Sequence, residues 1–320
     1  MGKIFIAGEI PKAGYEALKE HELDIYKGEK LIGEEEVLMR SRDADAILSL
    51  LSTPVNKKII DAAEKLKIIA NFGAGYDNID YEYAAQKGIP VTNTPFVSTE
   101  ATAELTMGLL LAVSRRIAEG DELCRTTGFN GWASLFFLGR EVYGKTLGII
   151  GFGNIGRSVA EKAKGFGMNI LYYDVKKQDE NMEKKLGAKY SDFGALLEKA
   201  DFITINSAYT PDLRHMIDEK EFMRMKKTAY LINCARGPIV NEKALVKALK
   251  EKEIEGAALD VYEFEPKISD ELKSMKNVVL TPHIGNATME TRDQMALSAA
   301  KNIVQVLNGE EPYSPVNKYK

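Results

Sequence analysis

Three short stretches of this 320-residue chain carry side chains able to bind an anion and move a proton. NCARGPIV (233–240) holds Arg236 just before a Gly-Pro pair, and ALDVYEFEP (258–266) holds Asp260, Glu263 and Glu265. TPHIGNATMETRDQM (281–295) holds His283, one of only three histidines. A guanidinium can grip a carboxylate through two parallel hydrogen bonds. An imidazole can give or take a proton near neutral pH. A carboxylate beside that ring can orient it and balance its charge. Each residue also has a plainer explanation: a salt bridge for Arg236, a satisfied core or loop position for His283. What sets them apart is that each follows a β-branched run that reads as a strand.

A fourth stretch, GFGNIG (151–156), fits G-x-G-x-x-G. The pattern alone is weak, but here it follows the apolar run TLGII and opens the helical stretch RSVAEKAKGFG, which is the context it requires. Gly151 permits the tight turn, Gly153 lets backbone approach a pyrophosphate, and Gly156 lets helix and sheet pack closely. The helix N-terminus offers amide donors and a positive dipole end to an anion. ILYYD ends in Asp174, 18 residues beyond Gly156. A carboxylate there accepts from both ribose hydroxyls of an adenosine and repels a 2′-phosphate, which favours NAD over NADP. Lys176 and Lys177 leave NADP as the lesser alternative. Beside a dinucleotide motif, an Arg, a Glu and a His at successive strand ends read as a hydride-transfer site.

The elements that position these residues alternate along the whole chain. In the first hundred residues, runs at 3–8, 46–51, 67–73 and 90–93 read as strands, with amphipathic helices between them. Residues 99–125 read as one long, mostly apolar helix. A second alternating series has strands at 145–153, 168–174, 201–207, 228–235, 256–261 and 277–283. Strand–helix alternation implies parallel sheets covered on both faces. The expected fold class is α/β with two doubly wound parallel-sheet domains, the second of Rossmann type. A final long helix, MALSAAKNIVQVLNG, is expected to return the chain to the first domain. The predicted domains are thus 1–98 plus 288–320, and 99–287, joined by two connections around a cleft that can open and close.

Composition limits the function classes. Hydrophobic content of 45%, charge of 28% and a net charge of −4 fit a globular protein and give no footing for nucleic acid. No apolar run approaches the roughly 18 residues of a membrane span. MGKIFIAGEI enters a strand with no basic leader region, so a cytoplasmic protein is expected. Cys124 and Cys234 give neither a disulfide framework nor a metal spacing.

NCARG, ALDV-x-x-x-EP and TPHIG, downstream of GFGNIG, resemble the D-isomer-specific 2-hydroxyacid dehydrogenases, and the likeness extends over nearly the whole chain. NFGAGYDNID (71–80) is similar to that family's substrate-domain loop. The resemblance implies a flavodoxin-like substrate domain beside the NAD-binding Rossmann domain, with Arg236, Glu265 and His283 as the catalytic set. It implies that Ala74 and Gly75 offer amides to the substrate carboxylate, with Arg236 and His283 completing the substrate contacts. Asn154 and Ile155 would meet the pyrophosphate, Asp174 the ribose and Asp260 the nicotinamide carboxamide. The Cys234–Ala235–Arg236 backbone, His283 and Gly285 would lie nearby. The family's His-x-Pro-Leu-Thr run is replaced by NSAYT (206–210), so Ser207 stands beside the cofactor without the usual proline.

The implied reaction is reversible reduction of a 2-oxo acid to the D-2-hydroxy acid by NADH. GWASLFFLG, with Trp132, Phe136 and Phe137, resembles the aromatic segment of glyoxylate and hydroxypyruvate reductases, which sits in a dimer-packing arm and so implies a homodimer. A larger 2-oxo acid remains open as substrate, and so does a structural role for the aromatics. A phosphoglycerate dehydrogenase is disfavoured by the absence of a regulatory extension, a formate dehydrogenase by Glu265 in place of Gln. An NAD-sensing corepressor-type scaffold keeps the same three residues, but its long disordered tails have no counterpart here.

Overall fold

The first strands are short β-branched runs whose successive residues point to opposite sides, so a sheet built from them needs cover on both faces. In the computed structural model, which describes residues 1–319, the first five strands are β1 (Lys3–Ile6), β2 (Glu22–Ile25), β3 (Ala46–Leu50), β4 (Ile68–Phe72) and β5 (Val91–Thr92). Between them run α1 (Lys12–Ala17), α2 (Glu34–Ser41), α3 (Lys57–Ala62) and α4 (Tyr81–Gln86). All pairings are parallel, in the order β2-β1-β3-β4-β5. That is the flavodoxin-like order. Phe5, Ile47 and Ile69 enter the core on one face, while Ile4, Ile6, Leu48 and Ile68 enter the core on the other.

The next elements are α5 (Thr99–Ser114), α6 (Ile117–Arg125), β6 (Thr146–Ile150), α7 (Asn154–Gly165), β7 (Asn169–Tyr173), α8 (Glu180–Leu186), β8 (Ala188–Tyr190) and α9 (Phe193–Lys199). After them come β9 (Phe202–Ile205), α10 (Glu219–Arg224), β10 (Tyr230–Asn233), α11 (Glu242–Lys250), β11 (Gly256–Leu259), α12 (Asp270–Ser274) and β12 (Val278–Leu280). Seven parallel strands pair in the order β12-β11-β10-β9-β6-β7-β8. The order reverses between β6 and β9, and ligands of such sheets bind outside the carboxyl ends at that switch point. Strand neighbours again alternate: Ile203, Leu231 and Ala257 feed one core, Phe202, Ile232 and Ala258 the other. Each fully buried Ile, Leu or Phe stabilises by about 1.5–3 kcal/mol.

The last helix, α13 (Met289–Leu307), belongs to the first sheet. Its Met295, Ala296, Ala299, Ala300 and Ile303 fill the core over Ile4, Ile6, Leu48 and Ile68. Beyond it, Val316 N–H donates to Val91 O at 2.8 Å, and Val91 N–H donates to Asn317 Oδ1 at 2.8 Å. The chain accordingly divides into two units: residues 1–98 with those from Asn286 onward, and residues 99–285.

Three expectations differ from the structure. Strands β2 and β8, both at sheet edges, lie outside the runs that read as strands. ELDI and AKY are short and charged, as edge strands often are, and present no apolar run to detect. The helix expected over 99–125 is two helices, because Arg116 takes a left-handed conformation at φ 55°. Its guanidinium then bonds Glu119 at 2.8 Å and lies 4.1 Å from the centre of the Phe137 ring. The final helix begins at Met289, ahead of the apolar stretch from Met295 that signals it, because Thr288 caps it by accepting from Thr291 N–H.

Candidate active site

The glycine motif forms the turn between β6 and α7. Gly151 has φ 87°, and a Cβ on it would lie 2.5 Å from the Ser207 backbone nitrogen, so only glycine fits beneath the end of β9. A Cβ on Gly156 would lie 2.2 Å from Gly151 O, which brings α7 hard against the turn. Around Gly153 there is open space. Asn154 and Ile155 open α7, whose first amides have no helical acceptor. Asp174, just past β7, takes Phe152 N–H at 2.6 Å on Oδ2 and Lys176 N–H at 3.1 Å on Oδ1. The carboxylate is thereby locked beside the turn with acceptor capacity left over.

The residues after β9 hold donors that nothing satisfies. Asn206 Nδ2 and Ser207 Oγ are both buried without a hydrogen-bond partner among the described residues. Orphaned donors of this kind are costly unless a bound group completes them. Together with the glycine turn and the Asp174 carboxylate, they fit a dinucleotide lying over the strand ends. Asn206 is not among the residues that sequence motifs single out. The signal is its position: Ile205 pairs with Ile150, which puts Asn206 next to Gly151. On the other side, Cys234 is buried, and that burial pushes its thiol up to about 12, so the thiol is inert near neutral pH.

The side chains of His283 and Glu265 meet. His283 Nδ1 lies 2.8 Å from Glu265 Oε2, with the imidazole side chain a quarter exposed (25%). Tyr262 N–H donates to Glu265 Oε1 at 2.9 Å, which fixes the other carboxylate oxygen. Burial works against the Glu265 charge. The His283 hydrogen bond and charge, the Tyr262 amide and the Arg236 charge outweigh it and hold the carboxyl below its usual range. Arg236 follows β10 in extended conformation, and its Nη1 donates to Ala235 O at 2.9 Å. Its carbonyl accepts from Asn233 Nδ2 at 3.0 Å, so a buried asparagine at the strand end shapes the loop.

Asp260 holds the segment that carries the histidine. Its Oδ1 accepts from Thr281 Oγ1 at 2.7 Å and Ile284 N–H at 2.8 Å, and its Oδ2 from Gly285 N–H at 2.8 Å. The residue is almost fully buried, and burial raises its carboxyl pKa despite those three donors. His283 itself sits at φ 55°, a conformation a histidine adopts only when its surroundings impose it. The clamp on both sides of it, Thr281 and Ile284–Gly285, is what imposes it.

Residues 107–285 match the family model for the NAD binding domain of the D-isomer specific 2-hydroxyacid dehydrogenases. A Staphylococcus epidermidis protein provisionally named a 2-hydroxyacid dehydrogenase is 61% identical over 318 residues, covering 99% of this chain and 100% of its own. The chain belongs to the D-isomer specific 2-hydroxyacid dehydrogenase family. Among solved structures, a glyoxylate reductase from Paecilomyes thermophila is 34% identical with a TM-score of 0.88, covering 99% of each chain. An NADPH-dependent glyoxylate/hydroxypyruvate reductase from Sinorhizobium meliloti is 29% identical with a TM-score of 0.86, covering 100% of this chain and 99% of its own.

For a 2-hydroxyacid dehydrogenase, an oxidoreductase acting on CH–OH donors, the first unit also holds a suggestive feature. Asn71, fully buried in β4, accepts from Ser49 Oγ at 3.1 Å and donates to Gly73 O and Gly75 O at 3.2 and 2.6 Å. Asn93 Nδ2 donates to Ala74 O at 2.7 Å. The loop's carbonyls are tied down, whereas the amides of Ala74 and Gly75 have no acceptor among the described residues. Such a loop presents donors to an anion. No group of three His, Cys, Asp or Glu able to hold a metal occurs among the described residues. No described helix is long and apolar enough to cross a membrane.

Proposed function

We propose that the chain reversibly reduces a small 2-oxo acid, of glyoxylate or hydroxypyruvate size, to the D-2-hydroxy acid with NADH. The observation that carries this reading is the 2.8 Å contact between Glu265 and His283, with the Arg236 charge reaching the same carboxylate. When bound, the nicotinamide supplies the hydride. Gly151, Gly153, Asn154, Ile155 and Gly156 are suited to the pyrophosphate, Asp174 to the ribose, and Ser207, Cys234, Ala235 and Gly285 to the walls of the site. Asp260 Oδ2 retains one acceptor direction, suited to the carboxamide.

Arg236 grips the substrate carboxylate and the carbonyl oxygen, stabilising the negative charge that develops there. Within the first unit, the amides of Ala74 and Gly75 are suited to a carboxylate. His283 gives a proton to the carbonyl oxygen in reduction and takes it back in oxidation, while Glu265 keeps the ring aimed. Asp174 opposes a 2′-phosphate, which supports NAD over NADP here although the S. meliloti relative is NADPH-dependent.

The choice of a small substrate leans on the named activities of the two similar structures. A homodimer is supported by the segment after α6, where Phe129, Trp132, Leu135 and Leu138 are 59%, 89%, 82% and 60% exposed. Apolar side chains gathered on a surface mark an interaction site. The test is a turnover assay with glyoxylate, hydroxypyruvate, pyruvate and branched 2-oxo acids, with NADH and NADPH. Turnover of glyoxylate and hydroxypyruvate above the others supports the reading; preference for a branched acid overturns the substrate, and no turnover of any overturns the reaction.

A further inference from the structure

Glu263 and His215 take no part in the chemistry above, yet they form a second carboxylate–imidazole pair. Glu263 has a side chain only 4% exposed, and its Oε1 lies 2.7 Å from His215 Nε2 and 2.8 Å from Arg214 Nη2. Its Oε2 accepts from Glu242 N–H at 3.2 Å, and Glu242 Oε2 in return accepts from Glu263 N–H at 3.1 Å. A buried carboxylate with this many donors fixes whatever those donors belong to.

The donors belong to the borders of the Arg236 loop. His215 N–H donates to Pro238 O at 2.9 Å, and Ile217 N–H to Ile239 O at 3.1 Å, so the 214–217 segment is laced to the turn after Arg236. Glu242 starts α11 at the loop's far end. On the third side a Cβ on Gly237 would lie 1.9 Å from the Tyr262 carbonyl carbon, so the loop backbone rests directly on the peptide between Tyr262 and Glu263. Tyr262 is also the residue whose amide holds Glu265. One buried carboxylate therefore ties together the segments that aim Arg236 and Glu265.

We propose that Glu263, with His215 as its partner, is a positioning residue that fixes the Arg236 loop against the segment carrying Glu265. The proposal rests on the catalytic reading of Arg236 and Glu265, and reaches residues that touch neither substrate nor cofactor. The pair acts through geometry, because a displacement of the guanidinium of about 1 Å is enough to cost about a hundredfold in rate.

The test compares Glu263→Gln, His215→Leu and His215→Gln in the full chain, by amide hydrogen exchange and by steady-state kinetics. A glutamine in place of His215 can still donate to Glu263, whereas a leucine cannot. Glu263→Gln and His215→Leu are expected to speed exchange of the bonded amides at residues 239–240 by about tenfold or more, with the β6–α7 turn unchanged. They are expected to lower kcat by about 10–100-fold while NADH binding stays within about twofold. His215→Gln is expected to recover most of both. Unchanged exchange at 239–240, a loss spread evenly over the fold, or failure of the glutamine variant to outperform the leucine one would overturn the positioning role. The exchange readout needs no substrate, so a wild-type chain that turns over no 2-oxo acid overturns the catalytic reading separately.

Discussion

His283 Nδ1 and Glu265 Oε2 meet at 2.8 Å from two loops whose backbones are held by different means. Glu265 is steadied by the amide of Tyr262 in its own loop, His283 by an Asp260 clamp around a left-handed residue. A left-handed non-glycine residue costs about 1–3 kcal/mol, and it persists where surrounding contacts over-determine it. The ring is thus aimed by backbone geometry first and by the carboxylate second.

His283→Ala removes the ring proposed to give the proton and leaves the glycine turn, Asp174 and the β9 end intact. The expected result is a fall in kcat/KM of about 10²–10⁴ in both directions, with NADH affinity nearly unchanged by titration. A comparable loss of NADH affinity would mean that the ring serves binding instead.

Arg236→Lys keeps the charge but loses the planar fork. Transition-state stabilisation should drop by about 2–4 kcal/mol, read from kcat/KM with glyoxylate or hydroxypyruvate. An efficiency within about threefold of the parent would show Arg236 to be a structural cation.

Asp174→Ala frees the Phe152 amide and removes the charge that opposes a 2′-phosphate. The ratio of NADH to NADPH efficiency should narrow mainly through a weaker NADH, measured as KM for each cofactor. Equal efficiency in the unmutated chain is the outcome that sinks the NAD preference.

Glu265 has a carboxyl held below its ordinary value of 4.5 in the folded state. A depressed acid adds stability that is present above the unfolded value and vanishes as pH falls through the folded one. Thermal melts should show Glu265→Gln less stable than the parent near neutral pH, and the gap should close below about pH 4.5 as the parent's carboxylate is protonated. A gap that persists unchanged in acid would mean that the side chain stabilises by shape alone.

Much of this is legible in the sequence because local pattern and local chemistry coincide there. GFGNIG lies between a strand and a helix and folds as that context requires, and Arg236, Asp260 and His283 each follow a strand within a few residues. The Glu263–His215 pair is not legible. Its members are 48 residues apart, and they meet only because β9, β10 and β11 lie side by side and the segment after β9 bonds across the turn after β10. Asn206 is hidden for a similar reason, since its orphaned amide is visible only once its neighbours are known. The break at Arg116 escapes the pattern because both sides of it are helical and no glycine or proline beside the left-handed arginine marks it.

The return of α13 to the first sheet has a consequence for how the chain is made. Synthesis runs from the N-terminus, so residues 99–285 leave the ribosome with every strand of their sheet in hand. The five strands made before them must wait, because the helix that covers Ile4, Ile6, Leu48 and Ile68 and the Asn317 side chain that bonds beside β5 emerge last. Until then that face is covered only in part, by Ile10, Tyr15 and Leu18 around α1, and its remaining apolar surface is an attractive target for a chaperone or a neighbouring nascent chain. The half made first is therefore the half finished last.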